Sequence, residues 1–486
     1  MLKKTLVLVA VLAALVTTNA QAQDAKSVLA SASQAIGVET LKTVTYSATG
    51  FDYALGQSPE PGGPWPKFIN KTYTRSIDFA VPSSQVNRVR LQGENPPRGG
   101  GNQPIRGEQP NAQTIIVAAN TPWAQQLEIY MMPQGFLRAA AARNATLEPS
   151  KMVEGKRYQV VSFMGDNKAK VTGYISAQNQ VERVETMIDH PVLGDTPFEA
   201  LYSDFKTVDG VSFPMRIVQN QGGYPIFDLT LSEVKINPAV TIAAAPQGGG
   251  GGGGGGATAP ATPHEVVSPG VYLFNSGYAV MAIDMGDHIF FLEPGNSEAR
   301  ALAVIAEAKK LMPGKPIRTV LNTHPHFDHS SGLRAFMAEG ATILTHEGNR
   351  AYLEQILNRP HTLNPDAQQK AGKPLKIEAM SEKKVITGNG HTIELYHMSQ
   401  FLHHPGMVMA YFPAEKILYQ ADGFNPQGPT ATPPSPPSEY NLALLENIER
   451  LKLDVARIIP VHYPADGRTI TMDELRRVTG KTNADN

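Results

Sequence analysis

The second half of the chain alternates short apolar runs with longer segments of helical periodicity. The short runs predict strands, and Ala, Leu and Ile recur at helical spacing over Ser297–Leu311, which predicts a helix ending at Pro-Gly. Further helices are predicted after Gly332 and over Ala351–Leu357 and Leu442–Leu453. This alternation favours an α/β domain in which helices cover mixed sheets. The predicted strands are Val271–Phe274, Ala279–Ile283, His288–Leu292, Ile317–Leu321, Thr342–Thr345, Thr392–Tyr396, Val408–Phe412, Ile417–Tyr419 and Ala456–Pro460.

The first half of the chain has a different pattern, in which β-branched and polar residues alternate or mix and turn-forming residues intervene. This pattern is typical of a mainly antiparallel β domain. Gly222-Gly223 predicts a hairpin, and Pro96–Gly101 predicts a long loop. The clearest predicted strands are Tyr158–Phe163, Val171–Ile175, Val181–Thr186, Val211–Phe213 and Phe227–Leu231.

A glycine run separates the two halves. Gly248–Gly256 is unbroken glycine, and segments rich in alanine and proline flank it on both sides. Such a stretch cannot bury surface and behaves as a flexible coil, so residues 241–263 are predicted to be a linker. A chain of 486 residues is long enough for two or three domains. We therefore predict a β domain at 24–240 and an α/β domain at 264–486.

Composition narrows the class of protein and the chemistry open to it. Hydrophobic residues make up 41% of the chain, charged residues 18%, and the formal net charge is −1. That balance is typical of a globular protein and favours neither nucleic acid nor an anionic membrane as a partner. The chain has no cysteine, which excludes disulfides, thiolate metal ligands and a cysteine nucleophile.

The first residues predict export. Lys3 and Lys4 precede an apolar run over Leu6–Val16, and Ala20-Gln21-Ala22 offers the small-x-small cleavage pattern. The run is shorter than the roughly 20 residues that a spanning helix needs, so a signal peptide at 1–22 is the better interpretation. The mature protein is then expected in the periplasm or outside the cell, with no stable membrane span.

The densest chemistry lies in the stretch NTHPHFDHSSG at 322–332, immediately after a predicted strand. Only one of the thirteen histidines, His190, precedes the glycine run, whereas His324, His326 and His329 fall within six residues of one another. In an extended segment His324 and His326 face the same way, Asp328 continues that spacing, and His329 points elsewhere. This geometry predicts two neighbouring metal sites. Imidazole and carboxylate ligands favour zinc and are compatible with iron or manganese.

This stretch resembles the His-x-His-x-Asp-His signature of the metallo-β-lactamase superfamily. The resemblance extends to His403, three residues before a glycine and an apolar strand, to Asp422 at the end of a strand, and to His462 after Ile458–Val461. It covers roughly His264–Arg477 and implies the αββα sandwich of that family.

The resemblance also implies a dinuclear zinc site. His324, His326 and His403 would hold the first metal, Asp328, His329 and His462 the second, and Asp422 would bridge both. A hydroxide shared by the two metals would attack an acyl or phosphoryl centre, and Asp328 would orient it and take up its proton. The implied metal ligands are His324, His326, Asp328, His329, His403, Asp422 and His462.

Several positions depart from the family pattern or stay open. Glu293 stands where the family commonly has an aspartate, and it is a candidate to brace the metal loop from behind. His404 competes with its neighbour His403 as a ligand, and the spacing to the glycine favours His403. Tyr463 is interpreted as a packing residue rather than a substrate contact. Asp422, in place of cysteine, counts against the best-known β-lactamase ligand set and favours an arrangement of the thioesterase type.

The fold alone does not name the substrate. The leading hypothesis is a metal-dependent hydrolase of an ester, thioester, lactone or amide-type bond in a small molecule, with Pro426–Pro437 as a rim that shapes the substrate site. One alternative is a mononuclear iron enzyme that consumes oxygen and uses only His324, His326, His403 and Asp422. The other is a non-catalytic envelope protein. In its strand rhythm and in the stretch TVDGVSFP at 207–214, the N-terminal half resembles curved-sheet envelope proteins that carry lipoproteins or lipids, which implies contact with an envelope lipid or lipoprotein.

Overall fold

A computed structural model of the chain describes residues 24–93, 107–118, 121–243 and 262–481. The predicted signal peptide at 1–22, the predicted loop Pro96–Gly101 and the glycine run Gly248–Gly256 lie outside the described residues. The linker at 241–263 and the domain boundaries it sets therefore stay predictions. Among the described helices, none has both the length and the apolar character needed to cross a membrane.

The N-terminal half is built on an antiparallel sheet of eleven strands, as its alternation predicted. Its order is β4-β3-β2-β1-β13-β12-β9-β8-β7-β6-β5, and β10 and β11 form a separate hairpin. The predicted turn at Gly222-Gly223 joins β12 to β13. The strands are β1 Thr43–Tyr53, β2 Lys67–Asp78, β3 Ser83–Gln92, β4 Gln109–Ile116, β5 Thr146–Val153, β6 Lys156–Met164, β7 Lys170–Ile175, β8 Val181–His190, β9 Gly194–Ser203, β10 Lys206–Val208, β11 Val211–Phe213, β12 Arg216–Gln221 and β13 Tyr224–Ile236.

Three helices contribute to the core of this sheet, and the sequence patterns above did not predict them. They are α1 Ala25–Ile36, α2 Trp123–Tyr130 and α3 Pro133–Ala142. The first begins at Asp24, whose carboxylate accepts a hydrogen bond from the Ser27 amide at 2.7 Å. It ends at Gly37, whose φ of +72° closes the helix in the left-handed region. Val28 and Phe136 are fully buried in the cluster that these helices share with the strands.

The C-terminal half has two sheets that contain parallel as well as antiparallel pairs. Seven strands follow the order β14 to β20, and the pairs from β17 to β20 are parallel. Five strands follow the order β21 to β25, and only β24 and β25 pair in parallel. The strands are β14 His264–Ser268, β15 Val271–Asn275, β16 Ala279–Asp284, β17 Ile289–Leu292, β18 Ile317–Leu321, β19 Thr342–His346, β20 Ile377–Met380, β21 Lys383–Gly388, β22 His391–His397, β23 Val408–Phe412, β24 Ile417–Gln420 and β25 Arg457–Pro460.

Within residues 262–481, seven α-helices accompany these sheets: α4 Glu298–Leu311, α5 Phe327–Ser330, α6 Leu333–Glu339, α7 Arg350–Leu357, α8 Ala367–Ala371, α9 Glu439–Arg450 and α10 Met472–Thr479. The predicted helix at 297–311 is confirmed, with Ser297 as its N-cap. Helix α9 begins three residues before its prediction because Ser438 caps it, its hydroxyl accepting from the Tyr440 amide at 3.3 Å.

The two sheets share one apolar core, and this arrangement brings several strand ends together. Phe290 and Phe291 of one sheet and Phe412 of the other belong to the same buried cluster. The Tyr419 hydroxyl of β24 donates to the Ala279 carbonyl of β16 at 2.8 Å, which ties the sheets together. The carboxyl ends of parallel neighbours meet at one edge. The residues after β17, β18, β24 and β25 are therefore close in space.

The N-terminal half packs directly against the C-terminal half. Trp65, Val192 and Leu193 are buried in the apolar cluster of the C-terminal sheets. Asp195, at the start of β9, accepts hydrogen bonds from the backbone amides of Thr362 at 2.9 Å and Leu363 at 3.0 Å. Its own amide donates to the Pro360 carbonyl at 2.8 Å.

Replacing Asp195 by alanine is expected to loosen this contact. Burial opposes the charge of this carboxyl group, but the hydrogen bonds from Thr362 and Leu363 hold its pKa below the usual value of 3.8. A lowered pKa means that the stabilisation is present above about pH 4 and is lost as the pH falls through the folded-state value. Asp195→Ala is expected to lower the free energy of unfolding by roughly 1.5–3 kcal/mol.

Hydrogen exchange measures this effect locally. The protection factors of the Thr362 and Leu363 amides, which correct for the intrinsic pH dependence of exchange, should fall in Asp195→Ala and in the unaltered protein at low pH. The control is Asp78→Ala, since Asp78 accepts from the Ala80 and Val81 amides within the N-terminal sheet. Equal protection of the Thr362 and Leu363 amides in the two variants would show that Asp195 does not hold the halves together.

Candidate metal centre

The chain leaves β18 through a loop that carries the predicted ligands; we call His324–His329 the histidine loop. Asn322 shapes it, because its side-chain amide donates to the carbonyls of His324 at 2.8 Å and His329 at 2.9 Å. Asn322 is fully buried, and its backbone amide donates to the Leu344 carbonyl of the neighbouring strand. One side chain thus closes both ends of the loop.

The loop is extended only over its first part. His326 has φ −59° and ψ 153°, and helix α5 begins at Phe327. Asp328 and His329 therefore lie on a helical turn, and the period of two does not continue to Asp328 as the spacing predicted. The turn has a physical cause: the Ser331 amide donates to the Phe327 carbonyl at 2.9 Å, closing the first helical ring.

The first group of ligand-type side chains lies at the centre of the site. The Nε2 atoms of His324 and His403 are 3.2 Å apart. Asp422 Oδ2 lies 3.3 Å from His324 Nε2 and 3.2 Å from His403 Nε2. His326 completes the group, in which every potential ligand atom lies within 4.8 Å of the others. All four residues are buried.

The second group shares Asp422 with the first. Asp328, His329 and His462 bring three ligand-type atoms within 4.8 Å of one another. Asp422 Oδ2 lies 2.9 Å from His329 Nε2, and Asp422 Oδ1 lies 3.1 Å from His462 Nε2. The seven predicted residues therefore come together as two adjacent groups, and one carboxylate faces both.

The donor atoms of these groups fit divalent cations. Nδ1 of His326 is among the buried side-chain atoms without a hydrogen-bond partner, although an unpaired buried nitrogen is costly. Burial and the neighbouring imidazole of His403 lower the pKa of His326 to about 3, which leaves a neutral ring with a free lone pair. Clustered neutral imidazoles and carboxylates are the ligand types that bind such metals.

The carboxylates of the site favour a nearby positive charge. Burial opposes the ionisation of Asp422, but the rings of His329 and His462 hold its pKa well below the usual range. Burial likewise opposes protonation of His462, but Asp422 and Asp328 raise its pKa to about 9. The carboxylates thus draw positive charge into the site, which is protons on imidazole here and a cation when metal is bound.

Glu293 lies behind the histidine loop, as its position after β17 suggested. It is fully buried, and its Oε1 accepts from the Thr323 amide at 2.9 Å. Its Oε2 accepts from the Tyr278 hydroxyl at 2.6 Å and lies 3.1 Å from His329 Nδ1. Glu293 and Asp422 both follow strands with positive φ, +65° and +56°, a conformation that costs of order 1–3 kcal/mol and is concentrated at functional sites.

The remaining candidates lie outside the two groups. His404 Nδ1 accepts from the Gly406 amide at 3.1 Å, so this ring serves the turn, whereas His403 faces the cluster. The Tyr463 hydroxyl accepts from Arg457 at 3.2 Å, in accord with a packing role. The carbonyls of Gln427 and Ala431, in the proline-rich segment, accept from arginines near the C-terminus, and the segment's role as a rim stays a prediction.

Sequence patterns missed several residues that contact the cluster. Tyr278 and Asn425 are two of them, since Asn425 donates to Asp422 Oδ1 at 3.3 Å. Gln57 and Ser58 reach the site from the N-terminal half. Asn322 had a usable signal, because a buried polar residue at a strand end beside four ligand-type residues needs a hydrogen-bonding role. Gln57 had none.

Comparisons with known proteins find one family match. Residues 279–462 match the sequence model of the metallo-beta-lactamase superfamily. The C-terminal half is thus a metallo-β-lactamase-fold domain, and all seven residues of the two ligand groups lie within the matched range. No curated protein matches the chain.

Similar solved structures include a metallo-beta-lactamase from Pontibacter korlensis, 14% identical, covering 45% of this chain and 97% of its own, with a TM-score of 0.34. A flavodiiron protein from Giardia intestinalis is 15% identical and covers 46% of this chain and 58% of its own, with a TM-score of 0.34. A B3 metallo-beta-lactamase described as having an active-site glutamic acid is 18% identical and covers 46% and 87%, with a TM-score of 0.31.

Proposed function

We propose that the protein is an exported hydrolase that depends on two zinc ions and cleaves an ester, thioester, lactone or amide-type bond in a small molecule. The observation that carries this proposal is the pair of adjacent ligand groups that share Asp422. A single structural cation would need only one such group, since four ligands close a structural zinc site.

The residues of the site have different roles in hydrolysis. The two ligand groups would hold divalent cations, which would supply Lewis-acid chemistry and lower the pKa of a water towards neutrality. Asp422 holds both ligand groups together, and its negative charge balances positive charge in a buried setting. Asp328 lies at the edge of the cluster, where its carboxylate can accept the proton that the attacking water loses.

The exposure of the ligands indicates where the substrate approaches. The side chains of His324, His329 and His403 have no exposed surface, whereas 34% of Asp328 and 23% of His462 remain exposed. The open side of the cluster is therefore the side of the second group. A substrate that enters there meets Asp328 first, which agrees with its proposed role as proton acceptor.

Metal analysis together with a substrate panel tests the proposal. Protein loaded with zinc and then dialysed should retain about two ions per chain, and it should hydrolyse at least one ester, thioester, lactone or β-lactam. Removal of zinc by a chelator should abolish turnover, and zinc should restore it. Full activity without metal would exclude this function. Iron with oxygen uptake would favour the oxidative alternative, and no turnover on any substrate the non-catalytic one.

Export is part of the proposal and has its own test. The basic residues Lys3 and Lys4, the apolar run and Ala20–Ala22 support cleavage after Ala22. Cell fractionation and N-terminal sequencing of the mature chain would test it, and an uncleaved chain in the cytoplasm would contradict it. Contact of the N-terminal sheet with an envelope lipid or lipoprotein stays a prediction.

A further inference from the structure

A loop of the N-terminal sheet lies directly on the histidine loop. Residues 54–66 join β1 to β2, and we call them the β1–β2 loop. The Phe327 amide donates to the Gly56 carbonyl at 3.2 Å, and the Trp65 ring meets the Phe327 ring edge-on at 6.4 Å. Gly56 has φ +74°, and a β-carbon there would lie 2.1 Å from the Phe327 ring. Only glycine therefore allows this close approach without a shift of one loop.

The same loop determines which nitrogen of His326 is free to bind a metal. His326 Nε2 lies 2.7 Å from the Ser58 carbonyl oxygen. A carbonyl can only accept, so Nε2 carries the proton of the neutral ring and Nδ1 keeps its lone pair. Nδ1 is the buried atom without a partner, and His326 belongs to the first ligand group. The hydroxyl of Ser58 fixes the loop here by donating to the Glu60 carbonyl at 2.6 Å.

The neighbouring residue acts on the second group. Gln57 Nε2 donates to Asp328 Oδ1 at 2.9 Å. The other oxygen, Oδ2, lies 3.3 Å from the Nε2 atoms of His329 and His462. The hydrogen bond thus selects the oxygen of Asp328 that faces the ligand cluster. Because the Gln57 amide is neutral, it orients the carboxylate without changing the charge of the site.

We propose that the β1–β2 loop is a component of the metal centre, in which Gln57 and the Ser58 carbonyl are positioning groups supplied by the N-terminal half. The inference rests on the proposed function, since it concerns the same metal ligands. Partners of this kind orient ligands and fix their tautomers, and their loss typically weakens metal binding 10- to 100-fold. The zinc affinity of the C-terminal domain therefore depends on the docking of the N-terminal half.

Gln57→Leu tests the contact with Asp328, because leucine keeps much of the volume and removes the donor. Titration of the metal-free full chain with zinc against a chromophoric chelator gives the two affinities separately. We expect the second zinc to bind about tenfold more weakly and the first to bind as in the unaltered protein. The absorption spectrum of the cobalt-substituted protein should change for the second ion only. The matched control is Gln178→Leu, an exposed glutamine in the turn between β7 and β8.

Gly56→Ala tests the close approach of the two loops. Its matched control is Gly155→Ala, because Gly155 has a similar φ of +80° and a β-carbon there would meet nothing within 4 Å. Both variants carry the same kind of backbone strain, but only Gly56→Ala displaces the β1–β2 loop from Phe327. We expect it to weaken both zinc sites by about 10- to 100-fold. Circular dichroism and thermal unfolding identify any loss of fold.

The outcomes separate this inference from the proposed function. If the unaltered chain binds no zinc, the proposed function fails, and the inference fails with it. If the unaltered chain binds two zinc ions and Gln57→Leu binds both within twofold of it, the inference alone is overturned. Should Gly56→Ala not fold, Gln57→Leu decides the question, since that side chain is only partly buried.

Discussion

Replacing His324 and His326 together by alanine is expected to remove the first zinc and to reduce hydrolysis more than about 100-fold, since the loss of outer partners alone costs 10- to 100-fold. The variant leaves His403 and Asp422 as the remaining members of the first group. Two ligands in place of four do not hold a cation against water. Metal analysis after dialysis and the rate on the best substrate of the panel measure the effect.

The control for this variant replaces two histidines outside the cluster. His264 and His288 lie in the same domain, and neither belongs to a ligand group. His264→Ala/His288→Ala should keep two zinc ions and the activity of the unaltered protein. Loss of fold is excluded by comparing the circular dichroism spectra of the two double variants. If His324→Ala/His326→Ala kept both zinc ions, the assignment of the first group would be wrong.

The strands that carry the site could be predicted from the sequence because their signal is local. Ile317–Leu321 and Val408–Phe412 have the bounds that their apolar runs predicted. Val408–Phe412 is buried at every position, and in Ile317–Leu321 the apolar residues Ile317, Val320 and Leu321 are buried, so polar residues mark where each strand ends. The histidine loop follows such an end and could be named from its own residues, whereas Asp422 and His462 were named only through the resemblance to the superfamily signature.

The contacts of the β1–β2 loop could not be predicted in this way. Gln57 and Ser58 lie in a stretch rich in glycine and proline, and this composition predicts only a loop. Their role depends on how two halves of the chain dock, and the order of residues within one loop carries no information about that. The turn at Phe327 was missed for a related reason. The sequence shows how many ligand-type residues the loop contains. The direction in which each side chain points depends on the backbone hydrogen bonds.

The tautomer of His329 depends on Glu293. The Tyr278 hydroxyl donates to Glu293 Oε2, so His329 Nδ1 must donate to the tyrosine oxygen at 2.9 Å and to the carboxylate at 3.1 Å. A proton on Nδ1 makes Nε2, which faces Asp422 and the second group, the nitrogen that would bind a metal in place of its own proton. Glu293 thus prepares His329 to bind metal.

Glu293→Gln should reverse that arrangement. The Thr323 amide needs an acceptor, so the amide oxygen of glutamine takes that side and its NH₂ group faces His329 Nδ1. His329 must then accept at Nδ1 and carry its proton on Nε2, where it blocks the second group. We expect the second zinc to bind 10- to 100-fold more weakly, measured by chelator competition, with activity falling in parallel.

Tyr278→Phe separates this effect from a general loss of packing. It removes the hydroxyl that donates to Glu293 but leaves the carboxylate to accept from His329. Thermal unfolding should show a loss of about 1–3 kcal/mol for this buried hydrogen bond, while zinc affinity changes much less. If Glu293→Gln and Tyr278→Phe weaken the second zinc equally, the site responds to packing alone. In that case Glu293 would support the fold of the loop without selecting the tautomer of His329.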